Sequence, residues 1–214
     1  MKVIFALPGK EYSREFLMSW TELMMQATAK GHQCMVSQNY SSVVHFARAK
    51  CLGGDVLAGP DQKPFQGKVD YDVVMWIDSD IVFKPDDFMK IMESPHDVTA
   101  GLYMMEDMEN FAVVKEWDEE FFKKNGTFEF VKATTVFEDQ YLPVAYAGMG
   151  WMLVRKDVIE KVKYPWFYGP LQTIGQAQDM MSEDVAFCRS LAASGTQVYV
   201  DTSIRVGHQK KVIL

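Results

Sequence analysis

The feature that most constrains this chain is a five-residue apolar run, Val73-Val74-Met75-Trp76-Ile77, ending directly on Asp78-Ser79-Asp80. A short run with no polar interruption predicts a strand buried on both faces, as in a parallel sheet covered by helices on each side. Ligands of such sheets bind beyond the carboxyl ends of the strands. Two carboxylates around a small residue at that end point to a hard divalent cation, Mg²⁺ or Mn²⁺, and through it to phosphate oxygens. The competing reading is a polar turn, because Asp and Ser favour turns on their own account.

The surrounding pattern agrees with an α/β sheet. Residues 3–7 read as a first strand, closed by Pro8-Gly9. Phe16, Leu17, Trp20, Leu23, Met24 and Ala27 recur at three- and four-residue steps and predict a helix, with Ser13 at its N-cap and Gly31 as its stop. A strand follows at 33–37 and a helix at 42–51. Residues 53–71, rich in Gly and Pro, read as a loop. Pro85 opens a short helix with Asp86 and Asp87 in its first turn, and 98–104 reads as a strand. The stretch 106–140 is the least regular; 111–114 and 127–131 suggest strands of a hairpin or small sheet. Strands at 142–147 and 151–154 flank a Gly148-Met149-Gly150 kink, and 157–162 reads as a short helix. Residues 169–181 read as a long loop, Ser182 as the cap of a helix through Ala193, and 197–200 as a late strand. Alternating strands and helices predict a mostly parallel central sheet flanked by helices, with a small secondary β region.

Length and composition set outer bounds. With 214 residues, 48% apolar and 24% charged, the chain suits one domain spanning 1–214. A formal charge of −7 repels phosphate backbones and argues against nucleic-acid partners. The three cysteines, Cys34, Cys51 and Cys188, are odd in number and match no zinc spacing, which predicts reduced thiols in a reducing compartment. The opening apolar stretch is too short for a signal segment, and no run approaches the ~18 residues of a membrane span. A cytoplasmic protein is therefore expected, in the host cytoplasm if viral. The last residues, Lys210-Lys211-Val212-Ile213-Leu214, stop abruptly on apolar groups, as a piece of a longer chain would.

Four further constellations carry chemistry. Glu183 and Asp184 fall in the first turn of a helix, where they complement its dipole or, after a long loop, serve an acceptor hydroxyl as general base. His208, after Gly207, is an imidazole near the chain's end and a ligand type suited to Mn²⁺. In Tyr146-Ala147-Gly148-Met149-Gly150-Trp151, Gly148 and Gly150 let backbone approach a ligand, and Trp151 either stacks on a sugar or fills the core. Arg48 interrupts an apolar helical face and is a phosphate-recognising residue type, or a solvated helix charge. His32, His45 and His96 read as structural. No Gly-x-Gly-x-x-Gly follows the first strand, and neither a P-loop nor a Gly-x-Ser-x-Gly elbow occurs, which disfavours NAD, P-loop and serine-nucleophile chemistry.

Taken in order, Leu7-Pro8-Gly9, Arg48, Asp78-Ser79-Asp80, Gly148-Met149-Gly150, Ser182-Glu183-Asp184 and Gly207-His208 resemble the GT-A glycosyltransferases. The resemblance covers most of the chain. Its compact length is similar to small bacterial or viral members, a domain of a large algal-virus glycosyltransferase among them. It implies the Rossmann-like GT-A fold, with a nucleotide-binding half at about 1–104 and an acceptor half at about 105–214. The implied reaction is metal-dependent transfer of a sugar from a nucleoside-diphosphate sugar, UDP by preference, to a saccharide hydroxyl in glycan synthesis. Leu7, Pro8 and Gly9 would hold the base. Asp78 would contact ribose or a metal-bound water, and Asp80 and His208 would ligate Mn²⁺ or Mg²⁺. Arg48, Ser79, Gly148, Gly150 and Trp151 would complete the donor site, and Glu183 or Asp184 would face the acceptor or the transferred sugar. Residues 106–140 match no pattern of that family, so the acceptor stays unassigned. Two other functions fit the same sequence. A sugar-phosphate nucleotidyltransferase normally has a Gly-rich basic loop where this chain has Pro8-Gly9-Lys10-Glu11-Tyr12. A non-catalytic carbohydrate- or nucleotide-binding module would use the aromatics alone.

Overall fold

A computed structural model describes residues 1–210; residues 211–214, including the apolar stop noted above, lie outside the described residues. The first half runs β1 (Lys2–Pro8), α1 (Arg14–Ala29), β2 (Gln33–Asn39), α2 (Val44–Cys51), β3 (Val73–Ile77), β4 (Ile81–Val82), α3 (Pro85–Met92) and β5 (Val98–Leu102). The irregular middle contains β6 (Asn110–Val114), α4 (Glu119–Asn125) and β7 (Phe130–Lys132). There follow β8 (Tyr141–Val144), β9 (Tyr146–Ala147), β10 (Trp151–Arg155), α5 (Lys156–Ile159), β11 (Leu171–Ile174) and β12 (Ala177–Met180). The described chain closes with α6 (Glu183–Ala193), β13 (Val198–Arg205) and β14 (Gly207–His208).

Seven strands form the central sheet in the order β2-β1-β3-β10-β5-β13-β8. The pairings β1–β2, β1–β3 and β5–β13 are parallel, while β10 runs against β3 and β5 and β8 runs against β13. Five of the seven strands therefore point the same way, as expected. β8 and β10 run in the same direction as each other and against the other five.

The two-residue alternation of strands sorts the core into two layers. From β3, Val74 and Trp76 join one cluster with Phe187, Cys188 and Leu191 of α6 and Val158 and Ile159 of α5. Val73, Met75 and Ile77 face the other, against Phe16, Leu23 and Ala27 of α1 and Phe88, Met89 and Ile91 of α3. All five residues of β3 are buried, which explains why that segment is apolar throughout. Local signals set the helix ends: Ser13 Oγ accepts from the Phe16 amide at 3.0 Å, and Gly31 takes φ +80° just past α1.

Three expectations are corrected. Within 106–140, the segment between the two predicted strands contains helix α4, capped by Asp118 and stopped by Gly126 in the left-handed conformation. Strand β7 covers only part of 127–131 and pairs with β6 in a three-stranded sheet completed by β9. The expected loop at 169–181 is a β11–β12 hairpin. All three cysteines are free, as predicted, and two of them, Cys51 and Cys188, are fully buried. Among the described residues no helix is long and apolar enough to cross a membrane.

Candidate active site

The carboxyl ends of β1 and β3 meet beneath the loop that opens at Pro8. A Cβ on Gly9 would lie 2.5 Å from Ser79 Cβ, so only glycine lets the two turns touch. Asp80 follows one residue later and lines an open cleft of about 470 Å³ with Ser79, Lys10, Tyr12, Tyr40, Gln209 and Lys210. Leu7 is buried and offers the site only its carbonyl, which accepts from Tyr12 Oη at 3.0 Å. Burial raises the Tyr12 phenol to about 12, so it remains a donor.

His208 is brought to Asp80 by a short antiparallel pairing of β14 with β4, in which His208 sits opposite Ile81. Its Nε2 lies 3.1 Å from Asp80 Oδ2, and its Nδ1 lies 2.8 Å from the Met104 carbonyl. A carbonyl only accepts, so Nδ1 carries the proton and Nε2 turns toward the carboxylate. The hydrogen bond to Asp80 raises the imidazole above its ordinary value, against the opposing effect of burial. Burial pushes the Asp80 carboxyl up, but the His208 hydrogen bond and the charges of His208 and Lys210 outweigh it and hold the group low. Lys210 Nζ stands 3.5 Å from Asp80 Oδ2.

Asp78 does not join this pair. Both its oxygens accept from Arg48, each at 2.9 Å, and Arg48 Nε donates to Glu183 Oε1 at 2.9 Å. Arg48 is 3% exposed and lies over the Trp76 ring at 5.7 Å, so the solvated-charge alternative is excluded. Burial alone would lower its pKa, and the two carboxylates more than offset that. Expected as a phosphate contact, this arginine instead joins α2, β3 and α6 through an ion-paired bridge. Among the described residues no group of three His, Cys, Asp or Glu side chains converges on one point.

Asp184 stands on the other side of the α6 N-terminus. Its Oδ2 accepts from Tyr146 Oη at 2.8 Å, and its Oδ1 accepts from the Val185 amide at 2.8 Å and from Ser182 Oγ. Ser182 thus caps through Asp184 rather than through a backbone amide. Burial and the Asp184 charge keep the Tyr146 phenol protonated well above its usual range. Tyr103 is held likewise by burial, with Asp78 and Asp184 adding to the effect. Its hydroxyl accepts from the Gly150 amide at 3.2 Å, and its ring lies 5.2 Å from that of His208.

The two glycines of the kink make room for this tyrosine. A Cβ on Gly148 would lie 2.0 Å from Tyr103 Oη, and one on Gly150 3.1 Å from Cζ. Gly148→Ala is therefore expected to cost about 2–3 kcal/mol by overpacking. Thermal unfolding checks this: the midpoint should fall by roughly 5–10 °C, and the added change Tyr103→Phe should restore part of the loss. Trp151, one reading of which was a sugar platform, is fully buried with its ring 4.9 Å from that of Phe83. It presents no face to a ligand. The three other histidines pack on rings: His32 near Phe88, His45 near Phe46, and His96 stacked 3.6 Å from Tyr199. Sequence reasoning missed Tyr12, Tyr40 and Tyr103, which no motif marks. Tyr146 stood inside a motif read only for its glycines.

Several solved structures have similar folds. A197 from STIV aligns over 99% of this chain and 87% of its own, with TM-score 0.62 and 19% identity. GalNAc-T7, in a structure with UDP, GalNAc and Mn²⁺, aligns over 99% of this chain with TM-score 0.52 and 10% identity. The fold is of the GT-A type. The chain corresponds to 44% of the GalNAc-T7 structure, so the likeness concerns this one fold and not that whole protein. No family model matches the chain, and no curated protein sequence does.

Proposed function

We propose that the protein is a metal-dependent glycosyltransferase that moves a sugar from a nucleoside-diphosphate sugar to a hydroxyl acceptor. The observation that carries this is the Asp80–His208 pair. With Nδ1–H tied to Met104, a neutral His208 turns a lone pair toward a carboxylate oxygen 3.1 Å away. Without a metal, a proton on Nε2 and Lys210 at 3.5 Å balance the carboxylate; a divalent cation would take that proton's place, with the carboxylate and diphosphate oxygens suiting Mn²⁺ or Mg²⁺. Two protein ligands are what a cation needs when diphosphate oxygens and water fill its remaining positions. Lys10 and Lys210 line the cleft with Glu11 and Asp80, so its charge is balanced, and a divalent ion would add the positive charge that a diphosphate calls for. The bound Mn²⁺ in the GalNAc-T7 structure supports the reading by analogy of fold.

When bound, the cation would neutralise negative charge on the departing diphosphate. The chain's own residues do the rest. Tyr40 and Tyr12, on the cleft wall beside Pro8-Gly9, bound the space for the base. Arg48 holds Asp78 rigid at the edge of the cleft, where ribose would lie. Asp184 retains an unused lone pair beside its bonds from Tyr146, Ser182 and Val185, and takes the acceptor's proton there. Glu183 braces Arg48 and thereby the donor side. No direct role falls to Trp151.

Asp184→Asn should leave donor binding within a few-fold and lower the turnover rate by about 10²–10⁴, measured as nucleoside-diphosphate release with acceptor present. Normal turnover would leave Asp184 as a helix cap only. The assignment as a whole is tested by thermal shift against a panel of nucleotide-sugars with and without Mn²⁺. Stabilisation should need both components and should single out one donor class. Pyrophosphate release from a nucleoside triphosphate and a sugar phosphate would point to a nucleotidyltransferase instead. Binding with neither hydrolysis nor transfer would leave a binding module.

A further inference from the structure

The two edges of the central sheet are treated differently. At one edge β8 is four residues long and carries Pro143, features that discourage further pairing. At the other edge β2 is a regular seven-residue strand, Gln-Cys-Met-Val-Ser-Gln-Asn, in unbroken parallel register with β1. It has no charged residue, no proline and no bulge. Among the described residues no strand pairs with its outer side. Gln33 donates its amide to the Met1 carbonyl, and the Asn39 carbonyl accepts from Gly9. Odd-numbered residues of β2 thus bond toward β1, and Cys34, Val36 and Gln38 turn their N–H and C=O groups outward. Val36, at the centre, is 53% exposed. Apolar exposure continues beyond the strand at Tyr40, Val43, Val44 and Phe46.

We infer that β2 is a self-association edge, pairing antiparallel with β2 of a second copy about a two-fold axis through Val36. The strand is self-complementary in that register. Val36 exchanges both bonds with its own copy, Cys34 pairs with Gln38, and Gln33 stands opposite Asn39. Every outward backbone group of the strand is then satisfied. No charge enters the seam, so a chain of net charge −7 brings no acidic side chains face to face along it. A copy fits this edge because it brings an equally uncharged, regular strand of the same length, and a pairing of one patch with itself closes at two. The two sheets merge into one that continues through both subunits, leaving β8 with Pro143 as the outer edge at each end.

Sedimentation velocity on the whole chain, from micromolar to hundred-micromolar concentrations, tests this. The expected result is a concentration-dependent species of twice the 24.5 kDa chain mass. Val36→Lys should sediment as a monomer throughout. Val36→Pro should do the same with little loss of stability, because the N–H it removes is not used by β1. If the proline variant unfolds, the lysine variant decides. Hydrogen exchange supplies the residue-level readout: the amides of Cys34, Val36 and Gln38 should gain protection as concentration rises. A wild type that stays monomeric, a dimer indifferent to Val36→Lys, or protection gained at other strands instead would each overturn the inference.

Discussion

Asp80→Ala is expected to abolish metal-dependent nucleotide binding while leaving the fold intact. The side chain is 42% exposed and lies at a strand end, so its loss opens no cavity in either core layer. What it removes is the one carboxylate that faces His208. In titration calorimetry with Mn²⁺ and UDP, the variant should show no saturable binding where wild type does. Turnover should fall about 10²–10³-fold, the usual consequence of losing one preorganised group that stabilises developing charge. Chelation of wild type should reproduce the defect and should add nothing to the variant. His208→Ala should behave similarly, and the double variant should be no worse than either single one, since both would hold a single ion. Unchanged binding in Asp80→Ala, with a normal melting temperature, would remove the metal reading. Asp78→Ala separates the two aspartates: it breaks the Arg48 bridge, so its first effect is on stability.

How much of this was legible beforehand depends on how local each signal is. Strand β3 and its terminal Asp78-Ser79-Asp80 were readable because burial on both faces demands an apolar run and the run then stops. The α1 cap at Ser13 and the stop at Gly31 were readable because each is a single residue's backbone chemistry. Helix α4 hid in a segment rich in Phe, a residue that reads as strand when local pattern is short, although Asp118 and Gly126 marked its ends. The β11–β12 hairpin is polar along much of its length and lacks a clean two-residue alternation. Candidate site residues could be picked out by type, while their partners could not. Asp80 meets His208 through a two-residue strand pairing that leaves no periodicity in sequence. Arg48 finds Glu183 135 positions away, and nothing near either residue announces the other. Tyr103 became visible only through the space left by Gly148.

The bridge at Arg48 gives the second large expected effect. Arg48→Met should destabilise the protein by about 3–5 kcal/mol, because it leaves Glu183 buried and Asp78 half-buried with no counter-charge. For a chain of this size that is a fall in melting temperature of roughly 6–20 °C. The size of the loss reflects stranded carboxylates more than the intrinsic worth of the ion pair, and this distinction can be measured. Neutralising the partners as well, in Arg48→Met/Asp78→Asn/Glu183→Gln, should recover most of the stability, since a buried ion pair and an apolar replacement of similar volume are often close in free energy. Arg48→Lys should fall between, keeping the charge but losing the fork that meets Asp78 through two nitrogens while Nε serves Glu183. If the triple variant is as stable as wild type yet binds nucleotide poorly, the bridge serves to aim Asp78 at its ligand. If Arg48→Met alone is fully stable, the guanidinium is not compensating those carboxylates at all.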